Sequence, residues 1–201
     1  MRLALAAITL LLASCVSAPV TDPARLPAGA WVLDGEHTSV TWQVRHLGLS
    51  WYTARFDGVR ASLEFDPARP EDAELTAIVD AASVSTGDPD FDEILRGSGW
   101  LDAARHPEIV FVSNRIVVTG ETKGEVHGLL TLKGVTQEVV METEFYGGVF
   151  NPLIRRNMLG FRGYFEIDRT GFDIGRLPGN FIGDTVRLSI EAEFIARDSS
   201  R

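Results

Sequence analysis

From Trp31 onward, apolar and polar residues alternate with a period of two. Val40, Trp42 and Val44 are separated by Thr41, Gln43 and Arg45, the mark of an antiparallel strand with one buried face. Tyr52, Ala54 and Phe56 repeat the pattern, and Ala61, Leu63 and Phe65 repeat it again. Leu75, Ala77 and Val79 alternate with Thr76, Ile78 and Asp80, so both faces carry some apolar character there. Further strands are predicted over 109–113, 115–119, 125–133, 138–145, 162–168 and 185–195. Turn pairs punctuate the runs: Asp57-Gly58, Asp66-Pro67, Thr119-Gly120, Lys133-Gly134 and Gly147-Gly148. One segment breaks the rhythm. Over 88–104, Phe91, Ile94, Leu95 and Trp100 are spaced like one face of a helix, with Gly97 and Gly99 ending its first part. So many short strands imply a β-sandwich or an up-and-down barrel, and periodicity alone does not choose between them.

The chain begins differently. Met1 and Arg2 make a short positive start, residues 3–12 are almost wholly apolar, and small residues follow. That is the order of a secretory signal, and it is too short to span a bilayer. The single cysteine, Cys15, closes the string Leu12-Ala13-Ser14-Cys15, which resembles a bacterial lipobox. The organisation expected is therefore a signal peptide over 1–14, a lipidated cysteine and flexible tether over 15–30, and one β domain over 31–197. Pro19, Pro23, Pro27 and Gly29 motivate the tether. A lipidated Cys15 would anchor the protein firmly to a membrane. Val16 stands where an inner-membrane retention signal has Asp, which points to the periplasmic side of the outer membrane. The alternative is a soluble periplasmic protein cleaved near Ser17 or Ala18, although cleavage after Ala18 would leave Pro19 first, a poor substrate.

Composition narrows the function. The formal net charge is −9 over 201 residues and no basic stripe occurs, which argues against nucleic acid. Lipidation of Cys15 would leave no thiol for a disulfide or for catalysis. His37, His46, His106 and His127 are scattered without ligand spacing, and His37 with His46 is the pair that folding would have to unite for a metal. No metal is expected. Asp92 and Glu93 near Arg96, and Asp168 beside Arg169, read as helix-end and turn residues in surface ion pairs. Ser39, Ser83 and Ser85 lack the Gly-x-Ser-x-Gly elbow of a serine hydrolase. Arg155-Arg156 falls in a long connection, read as a solvated loop with an anionic headgroup or membrane as the alternative. The apolar stripe of Trp42, Val44, Tyr52, Phe56, Leu63 and Phe65 fits either a solid core or the wall of a tunnel.

Several strings together resemble the YceI-like family of bacterial periplasmic proteins. They begin with Leu33-Asp34-Gly35-Glu36-His37-Thr38 and Val44-Arg45-His46-Leu47-Gly48. Val79-Asp80-Ala81-Ala82-Ser83-Val84-Ser85-Thr86-Gly87 and His106-Pro107-Glu108-Ile109-Val110-Phe111 follow. Gly128-Leu129-Leu130-Thr131-Leu132-Lys133-Gly134-Val135-Thr136 is the most recognisable hairpin, and Ile167-Asp168-Arg169-Thr170-Gly171-Phe172 and Gly183-Asp184-Thr185-Val186 complete the set. The resemblance implies an extended eight-stranded antiparallel lipocalin-like β-barrel with a short helical insert. Its interior would hold a long isoprenoid, quinone-like or alkyl-chain lipid, with no other cofactor and no catalysis. The implied ligand-binding residues are Val40, Trp42, Val44, His46, Tyr52, Phe56, Leu63 and Phe65, with His46 meeting the headgroup. Pairing into a homodimer is a further implication.

Two departures stand out. The helical insert reads Asp92-Glu93-Ile94-Leu95 and then Trp100-Leu101, where the family has Asp-x-His-Leu and paired phenylalanines, and Ala54 replaces a frequent glycine. Both are expected to touch the pocket mouth or floor. An enzyme acting on a bound amphiphile and a solid-core structural lipoprotein are the competing readings.

Overall fold

A computed structural model describes residues 18–197. In chain order the elements are β1 (Gly29–Leu33), β2 (Ser39–His46), β3 (Ser50–Phe56), β4 (Val59–Phe65), β5 (Glu74–Asp80), β6 (Val84–Ser85), α1 (Pro89–Arg96), β7 (Glu108–Val118), β8 (Lys123–Leu132), β9 (Val135–Asn151), β10 (Arg156–Asp168) and β11 (Ile182–Ala196). The alternating positions do as expected: every named strand pairing is antiparallel, and inward side chains are apolar. Lys133 and Gly134, both at positive φ, make the tight turn from β8 to β9.

The strands close into a ring of eight, β1-β4-β5-β7-β8-β9-β10-β11, because β1 pairs with β4 on one side and β11 on the other. Trp31 sits at that junction, opposite Leu63 and Ala196, and is 1% exposed. β2 continues along the same edge of β11, from Glu191 to Ile182, and carries β3 and β6 with it. The barrel is therefore ringed tightly at the β1 end and splayed at the other. The splayed end is roofed by α1, the turns after it, and the 173–181 loop.

Arg169 holds that roof. Its side chain is 2% exposed, and it donates hydrogen bonds of 2.8–2.9 Å to the carbonyls of Ile174, Gly175, Leu177, Ile182 and Gly183 and to Asp184 Oδ1. One guanidinium thus collects the backbone acceptors of a loop that has no ladder of its own. The reading of Arg169 as a surface ion-pair residue is corrected: it is a buried staple.

Other boundaries differ from the sequence reading, each for a local reason. The strands expected over 109–113 and 115–119 are one strand, β7, with a register shift between Ser113 and Arg115. Gly147-Gly148 is not a turn but the interior of β9, so β9 and β10 run on to a four-residue tip over 152–155 instead of a long loop. Gly147 is needed there for close approach: a Cβ would lie 2.7 Å from the carbonyl oxygen of Val20. That contact belongs to a second difference. From Val20 the segment expected to be a flexible tether is held, with Val20 and Gly148 exchanging backbone hydrogen bonds of 2.9 and 2.8 Å. Asp22 then caps a short turn at Pro23–Arg25, and the strap crosses the barrel end to β1. Cys15 and the signal segment lie outside the described residues. The helical insert is shorter than 88–104: α1 ends at Arg96 and turns follow.

Replacing Arg169 by Ala should cost about 3 kcal/mol or more, because five carbonyls and a carboxylate lose their donor. Urea denaturation measures it; Arg169→Lys, with three donors on a point charge, should recover less than half. A loss below about 1 kcal/mol would show that the loop does not depend on this residue.

Candidate functional site

The barrel encloses a cavity of about 680 Å³. Inward positions of the strands make its wall, for example Ala77 and Val79 of β5, Phe111 of β7, Leu130 of β8 and Leu188 and Ile190 of β11. Aromatic rings concentrate at its two ends. Near the roof, Tyr52 meets Phe91 of α1 edge-on at 5.6 Å and lies 6.2 Å from Trp42. Near the β1 end, Phe65, Phe145, Phe161 and Phe194 form a cluster with centroid separations of 4.9–5.9 Å. Between them the wall is mostly aliphatic.

All eight residues singled out from sequence border this cavity: Val40, Trp42, Val44, His46, Tyr52, Phe56, Leu63 and Phe65. These positions of β2, β3 and β4 thus lie on the cavity side of the sheet, with Ala54 between Tyr52 and Phe56 an alternate position that does not border it. His46, the last residue of β2, is exposed at the roof-end rim, and not within the barrel. A solid core is not what the molecule has. The insert meets the pocket as expected, through Leu95 and Leu101, whereas the roof residues Leu177 and Arg169, which also line the space, were not anticipated. The i, i+4 spacing of Phe91 and Leu95 was a usable signal; nothing local marks Arg169 as buried.

The departures from the family pattern sort differently than expected. Trp100 and Leu101 do line the cavity, whereas Ile94 is 55% exposed and points away, outside the helix face that Phe91 and Leu95 share. Ala54 is buried opposite Trp42 but does not reach the cavity.

α1 is seated by two acids. Asp88 caps it, accepting from the amides of Asp90 and Phe91. Asp92 is buried and accepts at 2.7 Å from both the amide and the hydroxyl of Thr86. The Thr86 hydroxyl bond above all holds the Asp92 carboxyl below the usual carboxylate range.

The polar groups that border the interior are few and sit mainly at its ends. Arg169 is committed to the loop carbonyls, and Glu121, Lys123 and Arg162 belong to the β1-end rim. No pair of carboxylates and no nucleophile beside a base faces the cavity among the described residues. His37 and His46 do not come together: they lie at opposite ends of β2, roughly 30 Å apart at about 3.3 Å per residue. His37 instead contacts Asp34 at 2.9 Å, which raises its pKa. The arrangement suits sequestration of a slender apolar molecule.

Fold and cavity together define a barrel that can bury one apolar ligand. The YceI-like domain model matches residues 31–194, and the chain belongs to that family. A UPF0312 protein of Vibrio parahaemolyticus is 33% identical over 155 residues, covering 74% of this chain and 82% of its own. Among solved structures, Burkholderia cenocepacia BcnA superposes with a TM-score of 0.72 at 24% identity, covering 80% of this chain and 98% of that one. A polyisoprenoid-binding domain from Saccharophagus degradans, implicated in plant cell wall breakdown, gives a TM-score of 0.64 at 15% identity, over 85% of this chain and all of that one. These last two share the fold.

Two outcomes are expected. Ala77→Phe places a ring in open space between β4 and β7, and should weaken uptake of a long-chain fluorescent probe about tenfold or more while leaving the melting temperature nearly unchanged. Unimpaired uptake would mean that ligands do not use the barrel. Asp92, with its folded pKa depressed, stabilises the protein above its unfolded pKa, and that contribution is lost as the pH falls through the folded value. Asp92→Asn should therefore lower the urea midpoint near neutral pH, and the gap from the parent should shrink as the pH falls below the ordinary aspartate pKa of about 3.9. A gap that persists in acid would mean the ionised carboxylate is not what seats α1.

Proposed function

We propose that the protein is a non-enzymatic lipid holder of the bacterial periplasm, keeping one isoprenoid, quinone-like or alkyl tail inside the barrel. The observation that carries this is the 680 Å³ apolar cavity bounded by aromatic rings at both ends. A polyisoprenoid is the ligand named for the Saccharophagus degradans domain, and the shared fold extends that chemistry here by analogy. At about 30 Å³ per non-hydrogen atom, the space takes on the order of twenty carbons, or about four isoprene units. A longer tail leaves its headgroup at a rim, where His46 is a polar neighbour. The location, the lipidation of Cys15 and the absence of turnover are part of the same reading; the largely apolar lining supports the last of these.

Native mass spectrometry of the purified protein, followed by organic extraction, should show a discrete extra mass that leaves as a long-chain lipid. Added in graded lengths, isoprenols should bind about fourfold more tightly per buried methylene-sized group and then plateau near twenty carbons. A bare chain that takes up no isoprenol, quinone or fatty amide would overturn the reading. An affinity that climbs without a plateau would place the tail outside the barrel.

A further inference from the structure

The β9–β10 hairpin outruns the barrel. β8 begins opposite Glu144, and the paired stretch of β11 ends opposite Met158, so the tip stands clear of its neighbours. Its apolar side chains face solvent: Leu153 is 91% exposed, Phe150 54% and Ile154 47%. No core contact explains so much exposed apolar surface on one tip. The charge there is also unlike the rest. Between Glu144 and Glu166 the chain has no acidic residue and three arginines, 155, 156 and 162, in a protein of net charge −9. Arg155 is exposed and makes no ion pair among the described residues. Arg156 bonds the Ala196 carbonyl and braces the base of the hairpin.

The route of the N-terminal chain says what covers this tip. Val20 is fixed to Gly148, at the base of the same hairpin. Cys15, the expected first residue once the signal over 1–14 is removed, therefore precedes the strap at this end. Val20 is five residues beyond Cys15, a reach of at most about 18 Å. The cavity also comes to the surface here, between exposed Thr21 and Pro23 of the strap and Glu121 and Lys123 of the β7–β8 turn. An apolar tip with a flanking cation, beside the membrane-directed part of the chain, has the make-up of an interfacial anchor.

We infer that the β9–β10 tip inserts Leu153 and Ile154 into the surface of an anionic phospholipid bilayer, with Arg155 at headgroup level. The barrel then stands with its strap end on the membrane. Docking follows from the tip itself; the consequence that a lipid tail enters directly from the bilayer rests on the function proposed above.

The test uses the full chain reconstituted with phosphatidylethanolamine–phosphatidylglycerol vesicles. An environment-sensitive fluorophore is attached at Leu153→Cys or, at the opposite end of the barrel, at Leu49→Cys, which replaces a residue 81% exposed. The unsubstituted chain, labelled in parallel, accounts for Cys15. The expected result is a blue shift at position 153 and quenching by brominated lipids about threefold or more above that at position 49. Arg155→Glu in the Leu153→Cys background should cut that quenching roughly threefold without changing the melting temperature. Quenching at 49 alone, or at neither position, overturns the inference. A blue shift at 153 before vesicles are added also overturns it, because a second copy of the chain then covers the tip. The two readings fail separately: an empty barrel with a quenched tip sinks the lipid holder alone, and a loaded barrel with an unquenched tip sinks the docking alone.

Discussion

Closure by β1 is the constraint on which the rest of the molecule depends. Five residues, Gly29–Leu33, pair with β4 and β11 at once, and without them both strands would present open edges. Trp31 at the centre of β1 fills the tight end with a large ring, packed with Leu63, Phe65, Leu159 and Phe194. Because β11 is longer than β1, its remaining edge is taken by β2. The sheet then splays, and β3 is joined to β4 only by the Asp57-Gly58 turn. An eight-stranded ring is filled by its own side chains or holds one slender ligand. Splaying one end widens the space on the side that α1 and the 173–181 loop cover.

That solution creates a problem of its own, since the splayed end must be roofed by segments without a ladder. Carbonyls that such a segment turns inward lack donors, and each unsatisfied group costs about 1–3 kcal/mol. Arg169 answers with donors in a planar fork, which reach six acceptors across a short stretch of chain. The same use of its donors leaves it nothing to offer a ligand. A cation that lines the cavity is thus structural, and the interior stays apolar although an arginine is present.

Much of this was legible in the sequence. Period-two alternation placed Val40, Trp42, Val44, Tyr52, Phe56, Leu63 and Phe65 on the inner face, because an error of one residue would have put polar Thr41 and Gln43 inside. Choosing a barrel over a sandwich needed the family resemblance, since closure is made by partners far apart in sequence, such as Trp31 and Ala196. The local rules failed where a distant segment sets the conformation. Gly147-Gly148 has the composition of a turn, yet it is a strand thinned to admit the backbone of Val20. Residues 20–28 look like a linker because their proline and polar content hides the partner that holds them. His46 had the right parity but stands at the last residue of β2, and parity says nothing of depth.

The two ends of the barrel consequently carry different kinds of information. Wall positions such as Ala77, Leu130 and Ile190 need only be apolar and of suitable size, so alternation suffices to specify them. The roof determines how much of the space is left, and there Trp100 and Leu101 close on the cavity. Gly175 records how close that packing is: a Cβ at this position would lie 2.8 Å from the Trp100 ring, in a backbone conformation of φ +65° that glycine adopts freely. The indole, the 173–181 loop and Arg169 are therefore a single unit, and a change in any one moves the other two. The extent of the cavity at this end is set by that unit and not by the strands, since Trp100, Leu101, Leu177 and Arg169 all border it.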